Sequence, residues 1–185
     1  MDTFYIITNY QKDPALETAQ AIQQYLEKKG KTCYIQSNEA GDNGGAYKYT
    51  DASRVPDEVE CVLVIGGDGT LLQAARDLVE RQLPLLGINM GTLGYLAEID
   101  RKSIRPALEK LITGEYSIEH RMMLCGSACH QNRKMLADIA LNDIVITRNG
   151  RLRVVDFNVY VDGAFLSSFT ADGIIISTPT GSTGY

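Results

Sequence analysis

Asp68 is the single carboxylate in the run Gly66-Gly67-Asp68-Gly69-Thr70. Glycines at this density leave backbone N–H groups open, with no Cβ to hold off an approaching anion. A helix starting at such a turn adds the positive end of its dipole, so the turn favours a phosphate. A carboxylate in the same place repels one. Two kinds of work explain its presence: taking a proton, or holding a cation between itself and the phosphates.

Three other groups carry polar chemistry. Met90-Gly91-Thr92-Leu93-Gly94-Tyr95 is a second glycine-rich turn, and its Tyr95 either stacks on a planar ligand or packs. Asn142-Asp143 interrupts the apolar runs Ile139-Ala140-Leu141 and Ile144-Val145-Ile146. An amide and a carboxylate buried inside a strand cost several kcal/mol unless partnered. The pair is either a bulge or satisfied core pair, or it faces a polyhydroxyl ligand; the depletion of Asp in strands favours the ligand. The third group is Ser177-Thr178-Pro179-Thr180-Gly181-Ser182-Thr183-Gly184-Tyr185, whose hydroxyls and N–H groups suit phosphate or ribose oxygens. Cys125, Cys129, His130 and His120 fit no zinc spacing and lack a second ligand pair, so no metal site is expected.

The elements that must position these residues follow from hydrophobic pattern. Phe4–Thr8 and Thr32–Gln36 read as strands on either side of a helix. Asp13-Pro14 starts that helix, Leu16, Ala19, Ile22 and Leu26 form its face, and Lys28-Lys29-Gly30 closes it. Ser37–Ser53, with Gly41, Gly44 and Gly45, reads as a long loop, either a flap near a ligand or a surface insertion, and long loops more often are the latter. Val62-Leu63-Val64-Ile65 is a strand buried on both faces, followed by a helix with Leu71, Leu72, Ala75, Leu78 and Val79 inward. Leu85–Asn89 is the next buried strand. Two strands that both end in glycine turns build one crevice beyond their carboxyl ends. Ser103 caps a last helix whose face is Ile104, Ala107, Leu108, Leu111 and Ile112, with Gly114 as its stop.

From about Tyr116 the pattern turns to strands without helices. Leu136–Thr147 and Arg153–Val161 are strand-like, and Val161-Asp162-Gly163-Ala164 is a hairpin turn. Ile174-Ile175-Ile176 reads as a buried strand. The expectation is an α/β domain over residues 1–115, with a Rossmann-like parallel sheet, followed by the first part of an all-β domain over 116–185. Cys33 and Cys61, in apolar strands, are expected as buried free thiols.

The chain has 185 residues, 44% of them apolar and 22% charged, with a net charge of −5. That charge argues against nonspecific affinity for nucleic acid or acidic membrane. No apolar run reaches membrane-spanning length, and the start lacks the regions of a signal peptide, so a cytoplasmic protein is expected.

The common nucleotide signatures, Gly-x-x-x-x-Gly-Lys-Ser/Thr and Gly-x-Gly-x-x-Gly, are absent. What is present resembles the NAD kinase family. Four stretches carry the likeness in order: Gly66–Thr70, Asn89–Leu96, Leu141-Asn142-Asp143, and Ala171-Asp172-Gly173 through Tyr185. The first alone also occurs in phosphofructokinases and in lipid kinases. The resemblance implies a phosphofructokinase-like first domain and transfer of the terminal phosphoryl of ATP, or of polyphosphate, to the 2′-hydroxyl of the adenosine ribose of NAD. It implies Asp68 as general base, and Gly67, Gly69 and Thr70 beside the ATP phosphates and their Mg²⁺. Asn142, Asp143 and Asp172 would hold the dinucleotide, with Asn89 and Tyr95 at its pocket. Thr183, Gly184 and Tyr185 would lie along its adenosine part, and Arg153 would reach a phosphate. Thr170 joins this group although a basic residue often precedes Ala-Asp-Gly, and Gly184 stands where alanine is usual. Members of that family continue past the position of Tyr185. An incomplete β domain exposes strand edges and apolar surface, so a homo-oligomer, dimer or tetramer, is expected. The alternatives are a lipid or sugar kinase with the same glycine-aspartate turn, or a fragment that binds nucleotide without turnover.

Overall fold

A computed structural model of the chain describes residues 1–9, 12–13, 16–36, 50–91, 94–149 and 154–184. Pro14, most of the loop expected over Ser37–Ser53, Arg153 and Tyr185 lie outside the described residues. The chain divides into two compact units, Met1–Glu119 and His120–Tyr185.

The first unit is a four-stranded parallel sheet. Its strands are β1 (Thr3–Thr8), β2 (Thr32–Ile35), β3 (Cys61–Gly66) and β4 (Leu85–Asn89), in the order β2-β1-β3-β4. Helices α1 (Glu17–Lys28), α2 (Asp68–Asp77) and α3 (Ile104–Thr113) cover it. Alternate residues of each strand point to opposite faces, and both faces are dry. Phe4, Ile6, Leu63, Ile65 and Ile88 pack with Ala19, Ile22 and Leu26 of α1 and Leu108 and Leu111 of α3. Tyr5, Ile7, Val62 and Val64 pack with Leu71, Ala74 and Leu78. Burial on both faces is why these strands read as unbroken apolar runs. Cys33 and Cys61 are buried free thiols, and burial pushes each up to about 12.

Several local expectations shift. Helix α1 begins at Glu17, not at Asp13. Asp13 still caps it, from the preceding loop: its buried carboxylate accepts the N–H groups of Thr18 and Ala19 at 3.2 and 3.1 Å. The inward face of α2 centres on Leu71, Ala74 and Leu78. Val79 is exposed because the α-helix ends at Asp77 and Val79–Arg81 tightens into a 3₁₀ turn. Ser103 offers α3 no side-chain cap. Asp100 does that work one turn earlier, accepting the Ser103 N–H at 2.8 Å over the 3₁₀ turn Arg101–Ser103. Gly114 does stop α3, with φ +82°. The end of the loop expected over Ser37–Ser53 forms a 3₁₀ turn, Ala52–Arg54, and Arg81 donates to the Ala52 carbonyl within it and to the Val55 carbonyl just after it.

The second unit holds three antiparallel strand pairs: β5 (Leu124–His130) with β6 (Arg133–Ala140), β7 (Asp143–Thr147) with β10 (Gly173–Ser177), and β8 (Val155–Val161) with β9 (Ala164–Ala171). The β8–β9 hairpin turns at Asp162 and Gly163, φ +50° and +78°, the left-handed pair that a two-residue hairpin needs. Leu136–Thr147 is not one strand. Leu141 and Asn142 break it, and β6 and β7 join different partners. Ile175 and Ile176 are 44% and 42% exposed rather than buried, in a β10 that pairs with β7 alone among the described strands.

Candidate active site

Strands β1 and β3 are neighbours, and the chain leaves β1 toward β2 on one side and reaches β3 on the other. In open α/β sheets ligands sit beyond the carboxyl ends of strands at such a switch point. The turn Gly66–Thr70 lies there. Gly67 is the N-cap of α2 in extended conformation and has no side chain to cap the first-turn N–H groups. Gly66 admits no Cβ, because one would fall on the Thr70 side chain, 2.6 Å from its Cβ. Gly69 is different: among the described residues outside its own helical turn, a Cβ there meets nothing within 4 Å. Packing therefore demands glycine at 66 but leaves open space in front of 69.

Asp68 is the first residue of α2 and is half-buried. Its Oδ2 accepts the Tyr95 N–H at 2.8 Å, and its Oδ1 accepts those of Leu96 and Ala97 at 3.2 and 3.0 Å. A carboxylate has roughly four lone-pair positions, so one is left for a hydroxyl. The second glycine turn is thus built around this carboxylate. The two turns meet because β3 and β4 are adjacent, with Gly66 opposite Asn89 and the Met90 N–H bonded to the Gly66 carbonyl at 2.8 Å.

Asn89, buried at the end of β4, shapes the second turn from within. Its Oδ1 accepts the Gly91 N–H at 2.8 Å, and its Nδ2 donates to the Ala97 carbonyl at 3.5 Å. Tyr95 gives its backbone N–H to Asp68 while its side chain is 63% exposed. Thr70 takes an Asn9 Nδ2 hydrogen at 3.4 Å, which ties the loop after β1 to the turn after β3.

In the second unit the Asn142 break and the Thr178–Gly184 turn come together. The Asn142 carbonyl accepts the Thr178 N–H at 2.8 Å. Thr178 is 1% exposed; its hydroxyl donates to the Leu141 carbonyl at 2.6 Å and accepts the Gly181 N–H at 3.2 Å. Gly181 lies so close to Asn142 that a Cβ would stand 2.6 Å from its carbonyl carbon. The Asn142 Oδ1 is buried and has no hydrogen-bond partner among the described residues, a cost unless something else donates to it. Asp143 opens β7 beside it, half-buried. Thr183 and Gly184 are exposed at the end of the turn.

Two other expected residues are engaged within the protein. The Thr170 hydroxyl donates to Asp156 at 2.6 Å across the β8–β9 pair. Asp172 pairs with the Arg148 Nε at 3.0 Å. Thr178, expected among the ligand-facing hydroxyls, instead spends its hydroxyl within the protein. Sequence reasoning overlooked Arg148, the Tyr95–Ala97 amides and Lys12, whose ammonium lies 2.9 Å from where a Gly67 Cβ would stand. Ordering the strands β2-β1-β3 would have pointed to Lys12, since it follows β1 directly into the switch point.

Residues 4–116 match the family model of the ATP-NAD kinase N-terminal domain, and residues 141–185 that of the ATP-NAD kinase C-terminal domain. The NAD kinase of Lachnospira eligens is 45% identical over 185 residues, covering all of this chain and 63% of the relative. That of Lachnoclostridium phytofermentans is 42% identical over 187 residues, covering 64% of the relative. The crystal structure of yeast NADH kinase complexed with NADH aligns over the whole chain with a TM-score of 0.80 at 25% identity, the chain covering 60% of it. An NAD kinase from Archaeoglobus fulgidus in complex with ATP aligns with a TM-score of 0.70 at 21% identity, a likeness of fold. The chain spans less than two thirds of the length of these relatives. With both family models matched in order, and the first over more than half of its residues, the chain belongs to the NAD kinase family.

Proposed function

We propose that the protein transfers the terminal phosphoryl group of ATP to the 2′-hydroxyl of the adenosine ribose of NAD, giving NADP. The observation that carries this reading is Asp68: a carboxylate fixed by three backbone N–H groups beside a glycine turn, with one lone-pair position left. A ribose hydroxyl is a weak nucleophile, and phosphoryl transfer asks the protein mainly for positioning and charge neutralisation. In this reading Asp68 accepts the hydroxyl proton as the oxygen attacks. The first unit receives the ATP phosphates at Gly67, Gly69 and Thr70, where the open space before Gly69 admits them. The second unit holds the dinucleotide through Asn142, Asp143 and Asp172, with the orphaned Asn142 Oδ1 accepting a ligand hydroxyl or amino hydrogen. Asn89, Tyr95, Thr183, Gly184 and Thr170 are the remaining NAD contacts in this reading. Arg153 and Tyr185 belong to the same proposal from outside the described residues.

Mg²⁺ fits this site as a companion of the phosphates. Among the described residues no three His, Cys, Asp or Glu side chains gather to hold a metal. Magnesium is commonly bound by one or two carboxylates plus substrate phosphates, and Asp68 is the carboxylate at the turn. When bound, the ion neutralises phosphate charge. The broad exposed apolar surface of the second unit, including Phe165, Leu166 and Phe169, supports a homo-oligomer. A cytoplasmic setting belongs to the same reading.

The test is direct. Protein expressed from the uninterrupted reading frame is incubated with NAD, ATP and Mg²⁺, and NADP is measured. The reading expects NADP from the wild type and a fall of about 10²–10⁴-fold in Asp68→Asn. No NADP from the wild type, or full activity in the variant, overturns it.

A further inference from the structure

A glycine turn that carries its own carboxylate needs positive charge before a triphosphate will settle on it. Asp68 contributes −1 at the first residue of α2, against the favourable end of the helix dipole. Lys12 answers this. The loop after β1 is folded back by two bonds, from the Lys12 and Asp13 N–H groups to the Asn9 carbonyl, both 2.9 Å. The Asn9 N–H is bonded in turn to the Ile65 carbonyl at 2.8 Å, and its side chain to Thr70. This brings the Lys12 ammonium over the bare Cα of Gly67.

The ammonium has no partner within the protein among the described residues. Among the described residues Lys12 forms no ion pair; its neighbour Asp13 is buried and occupied by the N–H groups of α1. Nor does it pair with Asp68, whose oxygens are turned to the Tyr95–Ala97 amides. Lys12 is exposed, so it covers no core. What remains is a cation placed over an N-cap glycine by the Asn9–Lys12 and Asn9–Asp13 backbone bonds, next to uncapped first-turn N–H groups. Lysine suits phosphate as a mobile point charge.

We propose that Lys12 binds the terminal phosphates of the nucleoside triphosphate donor, offsetting the charge of Asp68. This rests on the phosphoryl-transfer reading for its ligand, and is tested by binding rather than by turnover. Protein from the uninterrupted reading frame, as wild type, Lys12→Ala and Lys12→Arg, is titrated calorimetrically with Mg-ATP and separately with NAD. Lys12→Ala is expected to weaken ATP binding about tenfold or more, the order expected for a charge-assisted contact. NAD binding stays within about twofold, and Lys12→Arg restores most of the ATP affinity. Equal ATP affinity in wild type and Lys12→Ala overturns the proposal, as does a wild type that binds no ATP. Parallel loss of NAD affinity overturns it too, by placing Lys12 on the dinucleotide side. NADP formation by the wild type is followed separately. ATP binding that depends on Lys12 without NADP would sink the kinase reading and keep Lys12; NADP with Lys12-independent ATP binding would do the reverse.

Discussion

The carboxyl group of Asp68 occupies the place that a side chain on Gly94 would need. A Cβ built on Gly94 falls within the carboxyl group, 2.5 Å from its carbon, so residue 94 must be glycine for Asp68 to reach the following amides. Gly94→Ala therefore has to move either the carboxylate or the turn. We expect a loss of about 1–3 kcal/mol in stability, read by urea denaturation, as bonds to a charged acceptor break. NADP formation should fall at least about tenfold, because a catalytic group displaced by a fraction of an ångström loses its alignment. Wild-type stability in the variant would contradict the geometry.

Thr178 is the corresponding pin of the second unit. Thr178→Val keeps the shape and removes the hydroxyl that bridges the Leu141 carbonyl and the Gly181 N–H. Both partners are then left short of a bond in a buried place. The expected cost is about 1–3 kcal/mol. Faster hydrogen exchange at the Gly181 amide reports the local loosening.

Arg81 organises the approach to β3. Its Nη1 donates to the carbonyls of Ala52 and Val55 at 3.0 and 2.7 Å, and its Nη2 to that of Pro56 at 3.1 Å. Arg81→Ala removes three hydrogen bonds at once and leaves the Val55 carbonyl without its donor, while the Ala52 and Pro56 carbonyls keep the N–H groups of Val55 and Val59. Arg81→Lys can still reach one carbonyl. We expect limited proteolysis to cut this segment sooner in the alanine variant, with the lysine variant between it and wild type.

The thiols of Cys33 and Cys61 make stability fall at alkaline pH. Each has an ordinary value of 9.0 and is pushed up to about 12 by burial. Below pH 9 the folded and unfolded chains both keep these protons, and their contribution is complete. Above it the unfolded chain releases them while the folded one does not, so stability declines from about pH 9 toward 12. The urea midpoint should therefore drop less between pH 8 and pH 10.5 in a Cys33→Ala/Cys61→Ala variant than in the wild type. At pH 8 a thiol reagent should modify exposed Cys125 and Cys129 quickly and the buried pair only after unfolding.

What the sequence makes legible is whatever a local pattern encodes. The apolar runs of β1, β3 and β4 announce strands covered on both faces. Asp162-Gly163 announces a hairpin, and the glycines around Asp68 an anion-friendly turn. What it hides are contacts between distant residues. Nothing near Asp68 signals that its carboxylate is bound by amides 27 to 29 positions later. Asp13 is legible as a cap, but not that it acts from a loop before Leu16, a residue in left-handed conformation. Asn142-Asp143 stands out for its polarity, yet only pairing partners reveal a break between two strands of different sheets. The hairpin at Gln131 and Asn132, both left-handed, lacks the glycine that would have marked it.

The first strand of the chain is an interior strand of its sheet. β1 is flanked by β2 on one edge and β3 on the other, with Phe4 opposite both Cys33 and Cys61. β1 is made before β2 and β3 and acquires its inner neighbour only after the whole segment through Glu60 has followed. Until then one edge is open to any other extended chain nearby. Deleting Thr3–Thr8 would take out a central plank of the sheet, not trim a border.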